Sequence, residues 1–425
     1  MRTSVGLGRV EGWCFAALGE QETFLYRRVM DGDQEVLGVG VRDAFIHADT
    51  TLTLGVVFDR WKEWWEARVQ GEWCFGQLAY DAKNGLEDLV SQALDPMSWP
   101  DVCWFIPRWV FEIKGGQGWL HAHPEDIEEG LRLADRLLND TKKGVEKQSV
   151  ECIWVEPDKA RYLREARHLL RRIHRGDIYE INHCLEWLAD AMGWDPHVAF
   201  QSILTGSQAP YAGYYRLGER YALCFSPERF LKWQPGLATT EPMKGTRPRH
   251  PDPERDLELA LELAADEKER SENIMAVDVA RHDLSRVAAP VGVKVEELCA
   301  VRSYPAVHQM VSTIQCRTAP GVGVVDVVRA CFPPASMTGA PKISAMRLID
   351  QAEGMRRGLF AGALGFVDPE GLADLNVVIR TIQFRADTGR LSLMTGSALT
   401  ALSDPDKEWE ECSLKAASVL RYLSA

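Results

Sequence analysis

Three strand-like runs near the C-terminus are joined by turns too short to let the chain cross back over a sheet. LFAGALGFV, LADLNVVIRTIQF and RLSLMTGSALT begin at Leu359, Leu372 and Arg390, with DPEG and ADTG between them. A parallel partner needs a crossover of roughly a dozen residues or more, so these runs must pair antiparallel. The same holds for YALCFSPERFLKW and LATTEPMKG, which meet at Pro235-Gly236. Nearer the N-terminus, TLTLGVVF from Thr51 reads as a strand, and CWFIPRWVFEIKGGQGWLHAH as a hairpin turning at Lys114 to Gly118. Helical periodicity runs from about Pro157 to His174, from Pro253 to Val287 and from Asp406 to Leu423. Strands joined by tight turns, with a few long helices, predict an α+β fold rather than a βαβ series.

Nine of the 14 tryptophans fall in the first 119 residues, and a charged connector, Asn139 to Glu151, follows that region. The expected division is therefore 1–150 and 151–425, with the first part packing into the same globular body as the second.

Lys plus Arg is 49 and Asp plus Glu is 62, a net charge of -13. That disfavours a nucleic-acid or anionic-membrane binder, since both need a basic face. No run approaches the ~20 apolar residues of a membrane span. The N-terminus has no apolar signal region, and the 10 cysteines form no CxxC, as in reduced cytoplasmic proteins. GxGxxG, GxxxxGK[ST], HExxH and GxSxG are all absent. GVGVVD at Gly321 is expected only to mark a turn before a helix. His308 reads equally as a core, rim or catalytic residue.

Three constellations carry chemistry. Glu269 and Glu272 stand three apart on one helix. Glu408 and Glu411 repeat the doublet on another, with Lys415 four further on. Such spacings stack on one face. Each doublet alone reads as a solvated charged face. If the two faces met, four carboxylates would demand a cation, and hard oxygen ligands suit Mg2+. Glu228 in SPERF and Lys244 in EPMKGTRPR offer a carboxyl acid and an amine nucleophile across a strand–turn–strand, or else a surface pair on a hairpin. FPPASMTGAPK, from Phe332, is a small-residue loop entering a helix, with backbone N–H groups near Thr338 and Gly339 available to a carboxylate.

SPERF, PMKGTRPR, DEKERSENIMAVDVARHDLSRV, FPPASMTGAPK, LNVVIRTI and SDPDKEWEE stand in the order found in the chorismate-utilising enzymes. That family includes anthranilate, aminodeoxychorismate, isochorismate and salicylate synthases. The chain resembles it from roughly Pro157 to Ala425, and more weakly through LAYDAKNGLEDL and FIPRWVFEIKG. The resemblance implies two mainly antiparallel sheets packed as a sandwich and flanked by helices, with 151–425 as the chorismate-binding catalytic domain. It implies Mg2+ on Glu272 and Glu411, with Glu269 and Glu408 assisting. Glu228 matches the general acid, and Arg380 and Lys415 match groups that bind the substrate's carboxylates. Thr338 and Gly339 match the loop at the pyruvyl side chain. Thr246, Phe360, Gly396 and Ser397 complete the expected substrate contacts, although Phe360 replaces the usual Tyr or Trp, and GSALT replaces a glycine-rich run.

Within that family, PMKGT resembles the lysine-bearing PIKGT of aminodeoxychorismate synthases rather than the PIAGT of anthranilate synthases. Lys244 is then the expected nucleophile. The water-activating lysine of isochorismate and salicylate synthases aligns with Glu180, which argues against those two. Gln309 stands where a histidine usually precedes LVS. The implied activity is conversion of chorismate and ammonia to 4-amino-4-deoxychorismate, towards p-aminobenzoate and folate. Anthranilate synthase component I is the alternative enzyme, and a non-catalytic chorismate-binding subunit the alternative class. No GxCxG nucleophile elbow is present, so a separate glutaminase subunit is the expected ammonia source.

Overall fold

In a computed structural model of the chain, the described residues are 2–10, 13, 18, 22–29, 34–48, 55–139, 152–305 and 307–423. The first part carries β1 (Thr3–Arg9), β2 (Thr23–Arg28), β3 (Gln34–His47), α1 (Val56–Arg68), β4 (Cys74–Leu78), β5 (Val102–Lys114), β6 (Gln117–Ala122) and α2 (Ile127–Asn139). There follow α3 (Lys159–His174), β7 (Glu180–Asp190), α4 (Pro196–Ser207), β8 (Tyr211–Leu217), β9 (Arg220–Ser226), β10 (Arg229–Gln234), β11 (Leu237–Thr240) and β12 (Met243–Pro248). Next come α5 (Pro253–Ala265), α6 (Glu267–Ser285), β13 (Ala288–Ser303), β14 (Val307–Thr318), α7 (Val324–Cys331), β15 (Gly339–Ala340) and α8 (Lys342–Ala352). The chain closes with β16 (Ala363–Val367), β17 (Ala373–Val377), β18 (Thr381–Arg385), β19 (Arg390–Leu399) and α9 (Pro405–Leu420).

Every pairing among these strands is antiparallel, as the short turns require. One run reads β15-β7-β19-β18-β9-β8-β2-β3. The other reads β4-β16-β17-β10-β11-β14-β13, with β12 also on β14. Strand β5 pairs with β3, β4 and β6 and so joins the two runs. Their facing sides share a dry aromatic layer. Phe24 meets Phe75 at 5.6 Å between ring centroids, and Tyr26 meets Phe366 edge-on at 5.4 Å. This is the expected sandwich, and the burial of such rings dominates its cohesion. β2 pairs with β8 and β4 with β16, so early strands are built into sheets with late ones. Most of the expected boundary, 140–151, lies outside the described residues, as do residues 51–54 of TLTLGVVF and Cys14.

Three expectations are corrected. Val56 to Phe58 open a helix, not a strand. Val57, Phe58 and Trp61 recur at helical spacing and are buried, and Gly55 with φ 83 starts the turn. The single helix expected from Pro253 to Val287 is two. Asp266 leaves the helical region (φ -69, ψ 110), and its carboxylate accepts from Glu269 N, capping a new helix. LADLNVVIRTIQF is also two strands. β17 pairs with β10 and β16, but β18 pairs with β9 and β19, so the chain changes sheets at Val378–Arg380. Arg380 takes φ 50 there, a conformation that pattern reading does not anticipate for arginine. By contrast, the Gly115-Gly116 hairpin, the start of α3 at the Asp158 cap, and the turn at Gly323 before α7 lie as expected.

Candidate active site

Lys244 reaches the site because β12 is bulged. The register with β14 shifts between Lys244 and Thr246, and Gly245 at φ 83 supplies the kink. A Cβ there would fall 3.0 Å from Glu269 Oε2. The side chain of Lys244 is about nine-tenths buried, and its Nζ donates to Glu180 Oε1 on β7 at 2.8 Å. Burial opposes the ammonium form. The charge of Glu180, then that of Glu272, outweighs it, and the pKa of Lys244 rises above the lysine range.

Glu228 sits in the β9–β10 connection, buried, and accepts from Ser336 Oγ at 2.6 Å. Burial raises its pKa to about 7, against the opposing pull of Ser336, Lys244 and Lys415. A carboxyl still protonated near neutrality is a competent general acid.

The two glutamate-bearing helices do meet. Lys268 of α6 donates to Glu408 Oε1 of α9 at 2.9 Å and lies 3.5 Å from Glu272 Oε1. Burial raises Glu272 to about 7. Burial, then the charge of Glu411, also raises Glu269. Burial alone would lift Glu411, but Lys415 at 2.7 Å, with Lys268 and Lys244, holds it low. Lys415 Nζ also donates to Gly396 O at 2.8 Å.

Among the described residues no three carboxylate, imidazole or thiol groups converge as a ready ligand set, because ammonium groups lie between the carboxylates. The buried Glu272 Oε1 and Glu408 Oε2 have no hydrogen-bond partner. Orphaned carboxylate oxygens from two facing helices suit a hard divalent cation, so the residues present fit Mg2+.

The remaining expected residues have other ties. Thr246 accepts from Gln309 Nε2 at 3.2 Å. The N–H of Thr338 is turned back to Ala335 O at 3.3 Å, and Gly339 pairs with Ile181 of β7. Gly396 packs so closely on β7 that a Cβ would fall 2.6 Å from Asn182 Oδ1, and Ser397 Oγ meets Tyr162 OH at 3.2 Å. Phe360 is in the apolar core. The side chain of Arg380 makes no hydrogen bond or ion pair with a described residue, and burial, then Arg421, lowers its pKa. A half-buried cation without an anionic partner among the described residues suits an anionic ligand. His308 is structural, bonded to Asp256 and Ser303.

Sequence reasoning missed three groups. Glu180 was placed only by alignment, and its partnership with Lys244 spans 64 positions. Ser336 and Lys268 lie inside quoted motifs without an assigned role. Two clamps hold their segments. Arg357 donates to Met337 O and Asn182 O, at 2.6 and 2.8 Å, tying the Phe332–Pro341 loop to β7. Lys342 Nζ donates to Asp283 of α6 at 2.6 Å and to Cys331 O and Pro333 O. Asn273 of α6 donates to Pro242 O before β12 at 3.4 Å.

This chain belongs to the chorismate binding enzyme family, whose profile matches residues 23–421. Among its relatives, aminodeoxychorismate synthase component 1 of Klebsiella aerogenes is 37% identical over 351 residues, covering 82% of this chain and 77% of that protein. Aminodeoxychorismate synthase of Streptomyces griseus is 42% identical over 268 residues, 63% of this chain. The match spans only 36% of that longer relative. In fold the chain is similar to the crystal structure of anthranilate synthase component I from Streptococcus pneumoniae TIGR4, with TM-score 0.76 at 20% identity, over 98% of this chain and 92% of that one.

Proposed function

We propose that this chain converts chorismate and ammonia to 4-amino-4-deoxychorismate and water, as an aminodeoxychorismate synthase component I. The observation that carries the reading is Lys244. It is buried between Glu180 and the Glu228 acid, at the position where anthranilate synthases have alanine. The similarity to proteins named aminodeoxychorismate synthase supports it.

Lys244 reacts only as the free amine, and the Glu180 carboxylate is placed to take its proton. The amine attacks C2 of chorismate while the C4–O bond breaks, and Glu228 protonates the departing hydroxyl, which leaves as water. Ammonia then attacks C4, the C2–N bond breaks, and Lys244 recovers its amine. Glu269, Glu272, Glu408 and Glu411 would hold Mg2+, which neutralises a substrate carboxylate. Arg380 and Lys415 orient the carboxylates of the dianion. Ammonia comes from a separate glutaminase subunit, and the reaction takes place in the cytoplasm.

The test is turnover of chorismate with ammonium and Mg2+, with the product identified by mass. Formation of anthranilate with release of pyruvate overturns the assignment in favour of anthranilate synthase. Binding of chorismate without turnover makes the chain a non-catalytic subunit.

A further inference from the structure

Lys268 bridges two of the carboxylates that the metal reading gives to a divalent ion. Its ammonium bridges Glu408 Oε1 at 2.9 Å and Glu272 Oε1 at 3.5 Å. Both carboxylates are more than nine-tenths buried, and Glu408 Oε2 and Glu272 Oε1 have no hydrogen-bond partner. The lysine arrives from the solvent side, its side chain 37% exposed, on the first turn of α6. It therefore has somewhere to go. Mg2+ binds carboxylate oxygen at about 2.0–2.1 Å and demands an octahedral shell. An ion held by these two carboxylates would compete with the ammonium for the same groups, and two cations brought close together repel.

We propose that Lys268 is an internal counter-ion that fills the gap between Glu272 and Glu408 in the metal-free chain and is expelled when a divalent cation binds. The proposal rests on the metal reading given above. It explains how Glu272 and Glu408 can be folded close together before any ion arrives: the chain carries its own placeholder. Metal affinity is then the outcome of a competition, set in part by a residue that is not itself a ligand.

The experiment is calorimetric titration of the full chain with MgCl2, free of substrate, together with labelling of amines by acetic anhydride read by peptide mass spectrometry. Lys268→Met keeps the stem and removes the placeholder, and should bind Mg2+ about tenfold more tightly or better than wild type. Lys407→Met removes an exposed charge beside Glu408 and should change affinity by less than about twofold, which separates displacement from a general loss of positive charge. In the wild type, saturating Mg2+ should speed acetylation of Lys268 severalfold. Equal or weaker binding by Lys268→Met overturns the proposal. If wild-type binding is present and is lost in Glu272→Gln, the metal reading survives that result. No Mg2+ binding by the wild type overturns both. Should Lys268→Met fail to fold, acetylation of wild-type Lys268 at a rate indifferent to Mg2+ is itself decisive against displacement.

Discussion

Glu180 Oε1 and Lys244 Nζ lie 2.8 Å apart on strands β7 and β12, and this contact favours the ammonium form of Lys244. The carboxylate holds the ammonium, so the proposed attack on carbon requires that the amine first be released. Glu180→Gln removes the charge that raises the pKa of Lys244. The alkaline-rising limb of kcat/KM against pH should therefore shift to lower pH in that variant. A limb that stays in place would mean another group governs Lys244.

Lys244→Ala should slow formation of the 4-amino product by several orders of magnitude, with residual amination moving to C2. Lys244→Arg should not restore it, because a guanidinium stays protonated. Chromatography of products from chorismate and ammonium gives the answer. A wild-type rate of 4-amino-4-deoxychorismate formation in Lys244→Ala would falsify the nucleophile assignment.

Glu228 titrates at about 7 in the folded chain against an ordinary 4.5. The folded state thus keeps a proton that the unfolded chain has lost, and stability falls as pH rises from about 4.5 to about 7. Glu228→Gln should consequently be more stable than wild type at pH 8, by up to about 3 kcal/mol. The gap should close towards pH 4.5 in thermal melts. The same variant should lose turnover, because an amide cannot supply the proton. A melting difference independent of pH would place the titration elsewhere.

Turnover should require Mg2+, and Glu272→Ala or Glu411→Ala should nearly abolish it. Each leaves a weaker site and a substrate carboxylate without its counter-charge. Full activity in excess chelator excludes this role.

Ammonium should support turnover by the isolated chain and glutamine should not. Glutamine-dependent activity from the chain alone would refute the separate glutaminase.

What the sequence made legible is local. The DPEG and ADTG turns fix antiparallel neighbours, and the Glu269/Glu272 and Glu408/Glu411 doublets mark two helix faces. The contact between those faces is not local, since Lys268 meets Glu408 across 140 positions. Asp266 hides in an acidic stretch, where a helix cap and a helix surface use the same residue type. In VVIRT, the β-branched pattern runs unbroken through Arg380, so the change of sheet there depends on partners, β9 and β10, that periodicity does not reveal. Lys244 stands out in PMKGT by residue type, but its charge state depends on the Glu180 partner from another strand.

Helix α6 is tied to three segments of the candidate site: to α9 through Lys268, to β12 through Asn273, and to the Ser336 loop through Asp283 and Lys342. Slow exchange of its backbone amides should therefore mark the lifetime of the assembled site. When α6 opens, the loop that bonds Glu228 loses its tie, the strand of Lys244 loses its support, and Glu272 separates from Glu408. Inactivation by heat or denaturant should follow the opening of this one helix, ahead of the melting of the aromatic layer between the sheets.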